Sequence, residues 1–198
     1  MLIGVSSLVP RVGKSTVADY LKTKHGFLCG ELSEPVIVLA EKFFGYNGNK
    51  LDPDQRKILQ EVGLMGKTID PTIWFYQTLN LLRRRVWGMQ ISISPTFLFH
   101  YNLVSTRDEI NKDGISDFFN GESVVLSGIR SPLEADEIKK LGGKIMLISN
   151  PRIPVDANVH PVENQLYNYD FDINIINEST IEKLYETVDN MLQIWKKE

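Results

Sequence analysis

The sequence predicts an α/β protein in which helices cover both faces of a mostly parallel β-sheet, a three-layer α/β/α arrangement. Short apolar runs alternate along the chain with longer stretches of helical periodicity, the order typical of parallel strands joined by helices. These runs are apolar throughout, as expected for strands buried on both faces. With 198 residues, 42% of them hydrophobic, the chain can bury the core of one such domain. We therefore expect a single domain spanning residues 1–198.

The first half of the chain is predicted to contain one strand and four helices. Residues 2–7 form the opening apolar run, and residues 14–24 form a helix that Gly26 terminates. Asp-Pro pairs, which place proline at the first helical position, open two of the other helices. The remaining three helices are predicted over 33–44, where Ser33 is the expected cap and Pro35 lies in the first turn, over 52–65 and over 72–87.

Residues 88–120 carry two patterns that disagree. Met89, Ile91 and Ile93 alternate as in a strand. An apolar cluster follows, formed by Phe97, Leu98, Phe99 and Tyr101. We assign no element here, and the apolar cluster is a candidate contact between the copies of a homodimer.

The second half returns to clear alternation of strands and helices. Ser131 and Glu134 form an expected capping box with Pro132 at the first helical position, and a glycine pair at 142–143 ends that helix. A second capping box is predicted over 179–182, where it begins a terminal helix with apolar residues at helical spacing. Strands are predicted over 123–127, 144–149 and around 171–176, with a polar stretch at 150–169.

Charge and composition exclude several classes of partner. The 22 basic and 25 acidic residues give a formal charge of -3, which does not indicate a nucleic-acid or membrane partner. The N-terminus is apolar only as far as Val5 and resembles neither a signal peptide nor a membrane anchor. A single cysteine, Cys29, fits a reducing compartment and cannot form an internal disulfide. We expect a cytoplasmic protein.

The strongest chemical signal is Gly13-Lys14-Ser15-Thr16 between the first strand and the first helix. Backbone amides at a helix start can bind phosphate oxygens, and the helix dipole adds about half a positive charge there. Lys14 is expected to reach the outer phosphates, and the Ser15 hydroxyl to be a ligand of Mg²⁺. The expected phosphate-binding residues are Arg11, Val12, Gly13, Lys14, Ser15 and Thr16.

This loop predicts a P-loop NTPase-like form of the α/β/α fold, with one departure. The full pattern has a first glycine that four residues separate from Gly13, and here that position is Leu8. The loop is therefore expected to be reshaped. The alternative interpretation is an accidental Gly-Lys-Ser sequence at an ordinary helix start.

Several blocks, in a fixed order, carry a resemblance to a family. They are VGKSTVADYL at 12–21, HGF at 25–27, LSEP at 32–35, RKILQEVG at 56–63, DPTIW at 70–74, VVLSGIRSPLE at 124–134, HPVE at 160–163, DIN at 172–174 and IN at 176–177. In this order they resemble the bacteriophage deoxynucleoside monophosphate kinases. The resemblance spans nearly the whole chain except 88–120, which looks like an insertion.

The resemblance implies transfer of the γ-phosphate of ATP, with Mg²⁺, to a deoxynucleoside monophosphate. Such a reaction asks a protein for positioning and positive charge. Arg130, which follows a predicted buried strand, is expected to hold the acceptor phosphate or the migrating group, because its planar fork suits bidentate phosphate contact. Arg152 lies in a lid-like segment at 150–169, and it and Arg11 are candidates for neutralising developing charge.

The expected acceptor-binding residues are Glu34, Arg56 and Gln60, together with Arg130. Arg56 and Gln60 lie one turn apart on a predicted helix and share a face, where they could contact a phosphate or a base edge. Glu34 stands where the family has an acidic residue before proline. For each of these residues a solvated or capping role is the alternative.

Other chemistry-bearing residues have a plainer interpretation. His160 and Glu163 are expected to order the lid rather than bind metal, and His25 and His100 to be structural. Trp74 and the aromatic residues after it are expected to pack in the core. The arginine run at 83–85 suits the negative end of a helix dipole.

Three more departures from the family leave rival functions open. Gly128 stands where the family usually has an acidic residue, and Ile37 and Asn150 where it commonly has basic ones. The rivals are another small-molecule kinase, such as one resembling dephospho-coenzyme A kinase, and a catalytically degenerate nucleotide-binding protein.

Overall fold

The computed structural model describes residues 1–88, 102–154 and 165–197. In that part of the chain the strands are β1 (Leu2–Ser6), β2 (Leu28–Glu31), β3 (Val124–Ile129), β4 (Lys144–Ser149) and β5 (Ile173–Ile176). The helices are α1 (Lys14–His25), α2 (Glu34–Phe43), α3 (Pro53–Ile69), α4 (Ile73–Val86), α5 (Asn102–Phe118), α6 (Pro132–Lys140) and α7 (Ile181–Trp195).

The strands form one sheet in the order β2-β3-β1-β4-β5. The central strand β1 is buried along its whole length and pairs in parallel with β3 on one side and β4 on the other. Its last residue, Ser6, lies opposite Ile129 of β3 and Leu147 of β4. The segments that follow these three strands therefore emerge at the same edge of the sheet.

Helices cover both faces of this sheet. Ile3 and Val5 of β1 share a core with apolar residues of α1 and α7, including Leu21 and Val188. Gly4 faces the other way, because a Cβ added there would lie 2.7 Å from the Ile138 side chain of α6. The predicted three-layer α/β/α fold with a mostly parallel sheet is confirmed.

The chain separates into two compact units. The first consists of Met1–Cys29 and Ser123–Glu198, and it contains four of the strands with α1, α6 and α7. The second is Gly30–Glu122, which contains α2 to α5, and β2 spans the boundary. That residues 1–198 form one domain with an insertion at 88–120 and a lid at 150–169 stays a prediction.

The second unit is held together by the aromatic start of α4. Trp74, Phe75 and Tyr76 are buried, which confirms their predicted packing role. The Trp74 indole lies against Gly66 of α3 and donates a hydrogen bond of 2.8 Å to the Gly63 carbonyl.

The predicted strands and helices are present, with differences at their ends. The first capping box is confirmed, since Ser131 and Glu134 exchange hydrogen bonds with each other's backbone. The second was placed one residue early, because Thr180 is the cap and its hydroxyl accepts from the Lys183 amide at 3.4 Å. Ser33 occupies the cap position of α2, but its hydroxyl donates to Glu31 at 2.7 Å instead.

Two elements were not predicted, β2 and α5. β2 has four residues, of which two are half-buried, one is buried and one is exposed, so it lacks the continuous apolar run by which the other strands were found. α5 lies in the segment left unassigned. The alternation at 89–93 and the apolar cluster at 97–101 lie outside the described residues.

Candidate active site

The loop between β1 and α1 has two residues in the left-handed region, Arg11 with φ 64° and Gly13 with φ 106°. Between them Val12 is 1% exposed and joins the core, as does Val9, whereas Arg11 is exposed. Leu8, where the full motif has glycine, is half-buried. The loop is thus anchored by its valines and turned sharply at Arg11 and Gly13.

The start of α1 has features that favour binding of an anion. Its cap residue is Gly13, which has no side chain to accept from the helix amides, and no acidic residue lies in the first turn. Four other helices, α2, α3, α6 and α7, have an acidic residue there, whereas α4 has none either. The first amides of a helix have no partner within it and carry the positive end of the dipole. Phosphate oxygens would accept from these amides, and their negative charge would interact favourably with the helix dipole.

Lys14 lies close to the end of β1. Its ammonium group donates to the Ser7 hydroxyl at 2.5 Å, and that hydroxyl in turn donates to the Val9 carbonyl at 2.7 Å. Ser7 thus links the lysine to the loop backbone, a role that sequence reasoning missed. Of the other loop residues with predicted roles, Ser15 is exposed and Thr16 is half-buried.

Arg130 follows β3 at the same edge of the sheet, and its backbone is held by a hydrogen bond to the Glu134 side chain. The Glu134 carboxylate, only 4% exposed, accepts from the amides of Arg130 at 2.9 Å and Ser131 at 3.1 Å. The Arg130 side chain itself is exposed. A backbone held by hydrogen bonds and an accessible guanidinium suit the predicted contact with a transferring phosphate.

Gly128 introduces an irregularity near the end of β3, just before Arg130. Val5 pairs with Ser127 and Ser6 with Ile129, so Gly128 is the extra residue of a bulge, with φ 80°. That conformation favours glycine and would strain the acidic residue that the family usually has at this position. The departure noticed in the sequence is therefore matched to the local backbone.

Arg152 emerges beyond β4, on the other side of β1 from Arg130. Its amide donates to the Asn150 side chain at 2.9 Å, and its own side chain is exposed. The sheet thus brings the segments carrying Lys14, Arg130 and Arg152 to one edge. His100, His160 and Glu163 lie outside the described residues.

Asn177, just after β5, also reaches the loop. Its side-chain amide donates to the Val12 carbonyl at 2.9 Å. Sequence reasoning quoted this residue only as part of a resembling block and assigned it no role. A polar residue directly after a predicted strand was the signal that could have found it.

Three of the candidate acceptor residues, Glu34, Arg56 and Gln60, belong to the second unit, whereas Arg130 belongs to the first. Arg56 and Gln60 are exposed on α3, as predicted for residues that share a helix face. Glu34 begins α2, where both of its carboxylate oxygens accept from the Arg85 guanidinium, one of them at 3.2 Å. Glu34 therefore already accepts hydrogen bonds from Arg85, a residue whose predicted role was only to interact with the helix dipole.

The arginine run on α4 separates into three contacts within the second unit. Arg83 pairs with Glu109 and lies 4.4 Å from the centre of the Phe118 ring. Arg84 donates to the Asn80 side chain at 3.3 Å. With Arg85 on Glu34, the three guanidinium groups contact different parts of this unit.

A further cluster that the sequence did not reveal joins Asp70, Thr72 and Arg107. The Asp70 carboxylate accepts from the amide and the hydroxyl of Thr72, both at 2.7 Å, and from Arg107 at 3.0 Å. Desolvation opposes the ionisation of Asp70, but these hydrogen bonds outweigh it and lower the pKa of the carboxyl. Arg107 also stacks over Tyr76, so the cluster joins α5 to the start of α4.

Two kinds of feature are absent from the described part of the chain. Residues 1–88, 102–154 and 165–197 contain no group of three or more His, Cys, Asp or Glu side chains that could hold a metal ion. No helix within these ranges has the length and apolar composition needed to cross a bilayer.

The fold and the loop together define a class: an α/β protein whose first strand leads into a loop with a Gly-Lys-Ser sequence at the start of a helix. No protein-family model matches the chain. A protein of Acanthamoeba polyphaga mimivirus described as "Putative deoxynucleotide monophosphate kinase" is 29% identical over 202 residues, covering 92% of this chain and 93% of that protein. An uncharacterized protein, ORF77, of Ictalurid herpesvirus 1 (strain Auburn) is 26% identical over 182 residues, covering 91% of this chain and 65% of that protein.

Solved structures show only a distant likeness. A shikimate kinase from Aquifex aeolicus vf5 aligns over 98% of this chain and 96% of its own, with 14% identity and a TM-score of 0.49. Dephospho-CoA kinase from Campylobacter jejuni aligns over 97% and 95%, with 14% identity and a TM-score of 0.42. Likeness at this level does not identify a function. The loop geometry and the mimivirus similarity support a P-loop kinase acting on a nucleotide or another small molecule.

Proposed function

We propose that the protein transfers the γ-phosphate of ATP, with Mg²⁺, to a deoxynucleoside monophosphate. The observation that carries this proposal is the start of α1, where a glycine cap, an acid-free first turn and Lys14 follow a sharply turned loop. The mimivirus protein, whose description names a deoxynucleotide monophosphate kinase, supports the choice of acceptor.

The donor triphosphate would lie on the loop. Amides of residues 12–16 would donate to the β- and γ-phosphate oxygens, and Lys14 would exchange its contact with Ser7 for one with the outer phosphates. The exposed Ser15 hydroxyl fits a Mg²⁺ ion that takes its other ligands from phosphates and water. When bound, that ion supplies charge neutralisation at the phosphates.

Transfer itself would depend on the arginines around the loop. In the loose transition state of phosphoryl transfer, negative charge is spread over the three equatorial oxygens of the migrating group. Arg130, held by Glu134 through its backbone, would contact these oxygens or the acceptor phosphate. Arg152 and Arg11, both exposed, would supply further positive charge.

The proposed acceptor-binding residues are Glu34, Arg56 and Gln60, together with Arg130. Arg56 would contact the phosphate or base of the monophosphate, and Gln60 would offer a donor and an acceptor to the base edge. Glu34, oriented by Arg85, would contact the sugar or phosphate through water. We further propose that the substrates are free nucleotides, with no nucleic-acid or membrane partner, and that a homodimer is the oligomeric state to test.

The decisive experiment is a coupled ADP-release assay with MgATP and each deoxynucleoside monophosphate in turn. Monophosphate-dependent ADP release is expected for at least one of them, and Lys14→Ala should lower it by two orders of magnitude or more, about the contribution of a well-placed charge. Lys22→Ala, which removes an exposed lysine from the same helix, is the matched control and should leave turnover unchanged.

Each other outcome assigns the protein differently. MgATP binding without ADP release on any monophosphate would reject the kinase and leave a nucleotide-binding protein. ADP release on dephospho-coenzyme A but on no monophosphate would support the rival small-molecule kinase.

A further inference from the structure

We infer that Asn177 is a positioning residue that aims the Gly13 amide of the phosphate loop. The inference deepens the proposed function and rests on it, because the amide matters only if the loop binds phosphate. Asn177 lies outside the loop in sequence, 165 residues from Val12, to which it is hydrogen-bonded.

Asn177 is itself held in place by the sheet. Its backbone amide donates to the Ser149 carbonyl at 2.7 Å, which extends the pairing of β4 and β5 by one residue. Its half-buried side chain then donates to the Val12 carbonyl at 2.9 Å. Because a carbonyl oxygen can only accept, the amide nitrogen of the side chain must be the atom that faces it.

The direction of the Val12 carbonyl determines the direction of the next amide. The peptide unit joining Val12 to Gly13 is planar and trans, so its C=O and N–H groups point to opposite sides. With the carbonyl held towards Asn177, the Gly13 N–H points to the other side of the loop. A phosphate bound there would find this donor already oriented.

Gly13 and Asn177 are matched to each other. Gly13 has φ 106°, and a Cβ added to it would lie 2.7 Å from the Asn177 side-chain nitrogen. The missing side chain thus allows both the left-handed turn and the approach of the amide. The glycine of the motif is needed here for contact with Asn177 as well as for backbone conformation.

The chemistry predicts which substitution is damaging. Asn177→Asp keeps nearly the same side-chain shape, but an ionised carboxylate only accepts hydrogen bonds and would repel the Val12 carbonyl. Asn174→Asp is the matched control, because Asn174 is exposed on β5 and its side-chain oxygen accepts from Ser149, which aspartate can also do.

The experiment compares the wild type, N177D and N174D. Calorimetric titration with MgATP and with pyrophosphate should give a Kd about tenfold higher for N177D and unchanged for N174D, as for loss of one hydrogen bond with its partner left unsatisfied. In steady-state kinetics KM for ATP should rise and KM for the monophosphate should not. With ¹⁵N-glycine labelling, the Gly13 amide resonance should shift on pyrophosphate binding in the wild type and less in N177D.

Specific outcomes would overturn the inference. If N177D binds MgATP and pyrophosphate as the wild type does, Asn177 has at most a structural role, even if its melting temperature falls. A wild type that binds neither compound would overturn the inference and the proposed function together. A wild type that binds both but phosphorylates no monophosphate would overturn the proposed function alone, and the N177D comparison with pyrophosphate would still decide the role of Asn177.

Discussion

Glu134 connects the stability of a helix start to the placement of a candidate catalytic arginine. Its buried carboxylate accepts from the amides of Arg130 and Ser131, while its own amide donates to the Ser131 hydroxyl. Removing the carboxylate would leave buried donors unsatisfied at the point where β3 ends. A capping box is usually considered only for its effect on stability. Here its glutamate also fixes the position of the Arg130 backbone.

Glu134→Ala is expected to lower both stability and turnover. Loss of a buried acceptor costs about 1–3 kcal/mol of unfolding free energy, and a displaced Arg130 should lower kcat while KM for ATP stays nearly unchanged. Urea denaturation and steady-state kinetics measure the two effects. Glu134→Gln keeps an acceptor oxygen in the same place and should recover most of both, so failure of that rescue would argue that the charge of Glu134 acts directly.

Sequence reasoning found the residues that lie within recognisable motifs and missed those whose contacts are far away in the chain. Lys14 was identified because a Gly-Lys-Ser sequence followed a strand, and the structure places it beside the loop as expected. Asn177 and Arg107 contact partners 165 and 37 residues away. No local pattern encodes such a contact, because it depends on the sheet order and on helix packing.

Helices α3 and α4 pack against each other at Gly66, where a residue with a side chain does not fit without a shift of its neighbours. A Cβ at Gly66 would lie 2.1 Å from the Trp74 ring, so the indole can pack only against bare backbone. The neighbouring Gly63 is different, since a Cβ there would have its nearest contact at 3.9 Å, to Val36. The same helix thus carries one glycine required by packing and one that is not.

The two glycines predict opposite effects of the same substitution. Gly66→Ala should destabilise the protein by about 1–3 kcal/mol through overpacking against Trp74. Gly63→Ala should stabilise it by about 0.5–1 kcal/mol, because alanine is the better helix former. Chemical denaturation monitored by tryptophan fluorescence and by circular dichroism measures both. A Gly66→Ala variant as stable as the wild type would show that Trp74 is not packed as described.

Helices and strands were predictable where their ends carry local chemistry. Asp52 does cap α3, accepting from the Asp54 amide at 2.9 Å, and Gly26 ends α1 in the left-handed conformation. β2 was missed because it is short and half-buried, so no apolar run marks it. The cap of α7 was misplaced by one residue because Ser179 and Thr180 are both good caps, and the structure places Thr180 in the extended backbone conformation of a cap.

The molecule as a whole was predicted from its α/β alternation as one layered domain, and the layers are present in the first unit. The residues 30–122 that form the second compact unit have no such alternation, because α2 to α5 follow one another without a strand between them in the described residues. A run of helices in an α/β sequence was the available signal for this division.

Each unit contains a carboxylate whose ionisation is coupled to its fold. In the first, Asp189 of α7 accepts from His25 at 2.7 Å and from Tyr20 at 2.9 Å, both on α1. Desolvation opposes ionisation of Asp189, but these hydrogen bonds lower its pKa. In the second, Asp70 has a lowered pKa for the reasons given above. Their hydrogen-bond partners are different residues, so their effects on stability should add.

These two groups predict acid sensitivity of the whole protein. A carboxyl with a lower pKa in the folded state binds fewer protons there than in the unfolded chain, so its stabilisation is complete above the unfolded pKa of about 3.9. That stabilisation is lost as the pH falls through the folded pKa. The free energy of unfolding should therefore decline below about pH 4, as urea denaturation at a series of pH values would measure.

Removing the two carboxyls should flatten this dependence. Asp189→Asn and Asp70→Asn should each be less stable than the wild type at pH 7, because a charged hydrogen bond is lost, and each should lose less further stability on acidification. The double variant should show the sum of the two changes. Asp19→Asn, a substitution of an exposed residue on α1, is the control and should keep the wild-type slope. If either single variant also keeps that slope, its carboxyl is not coupled to folding, and the hydrogen bonds drawn to it do not hold in solution.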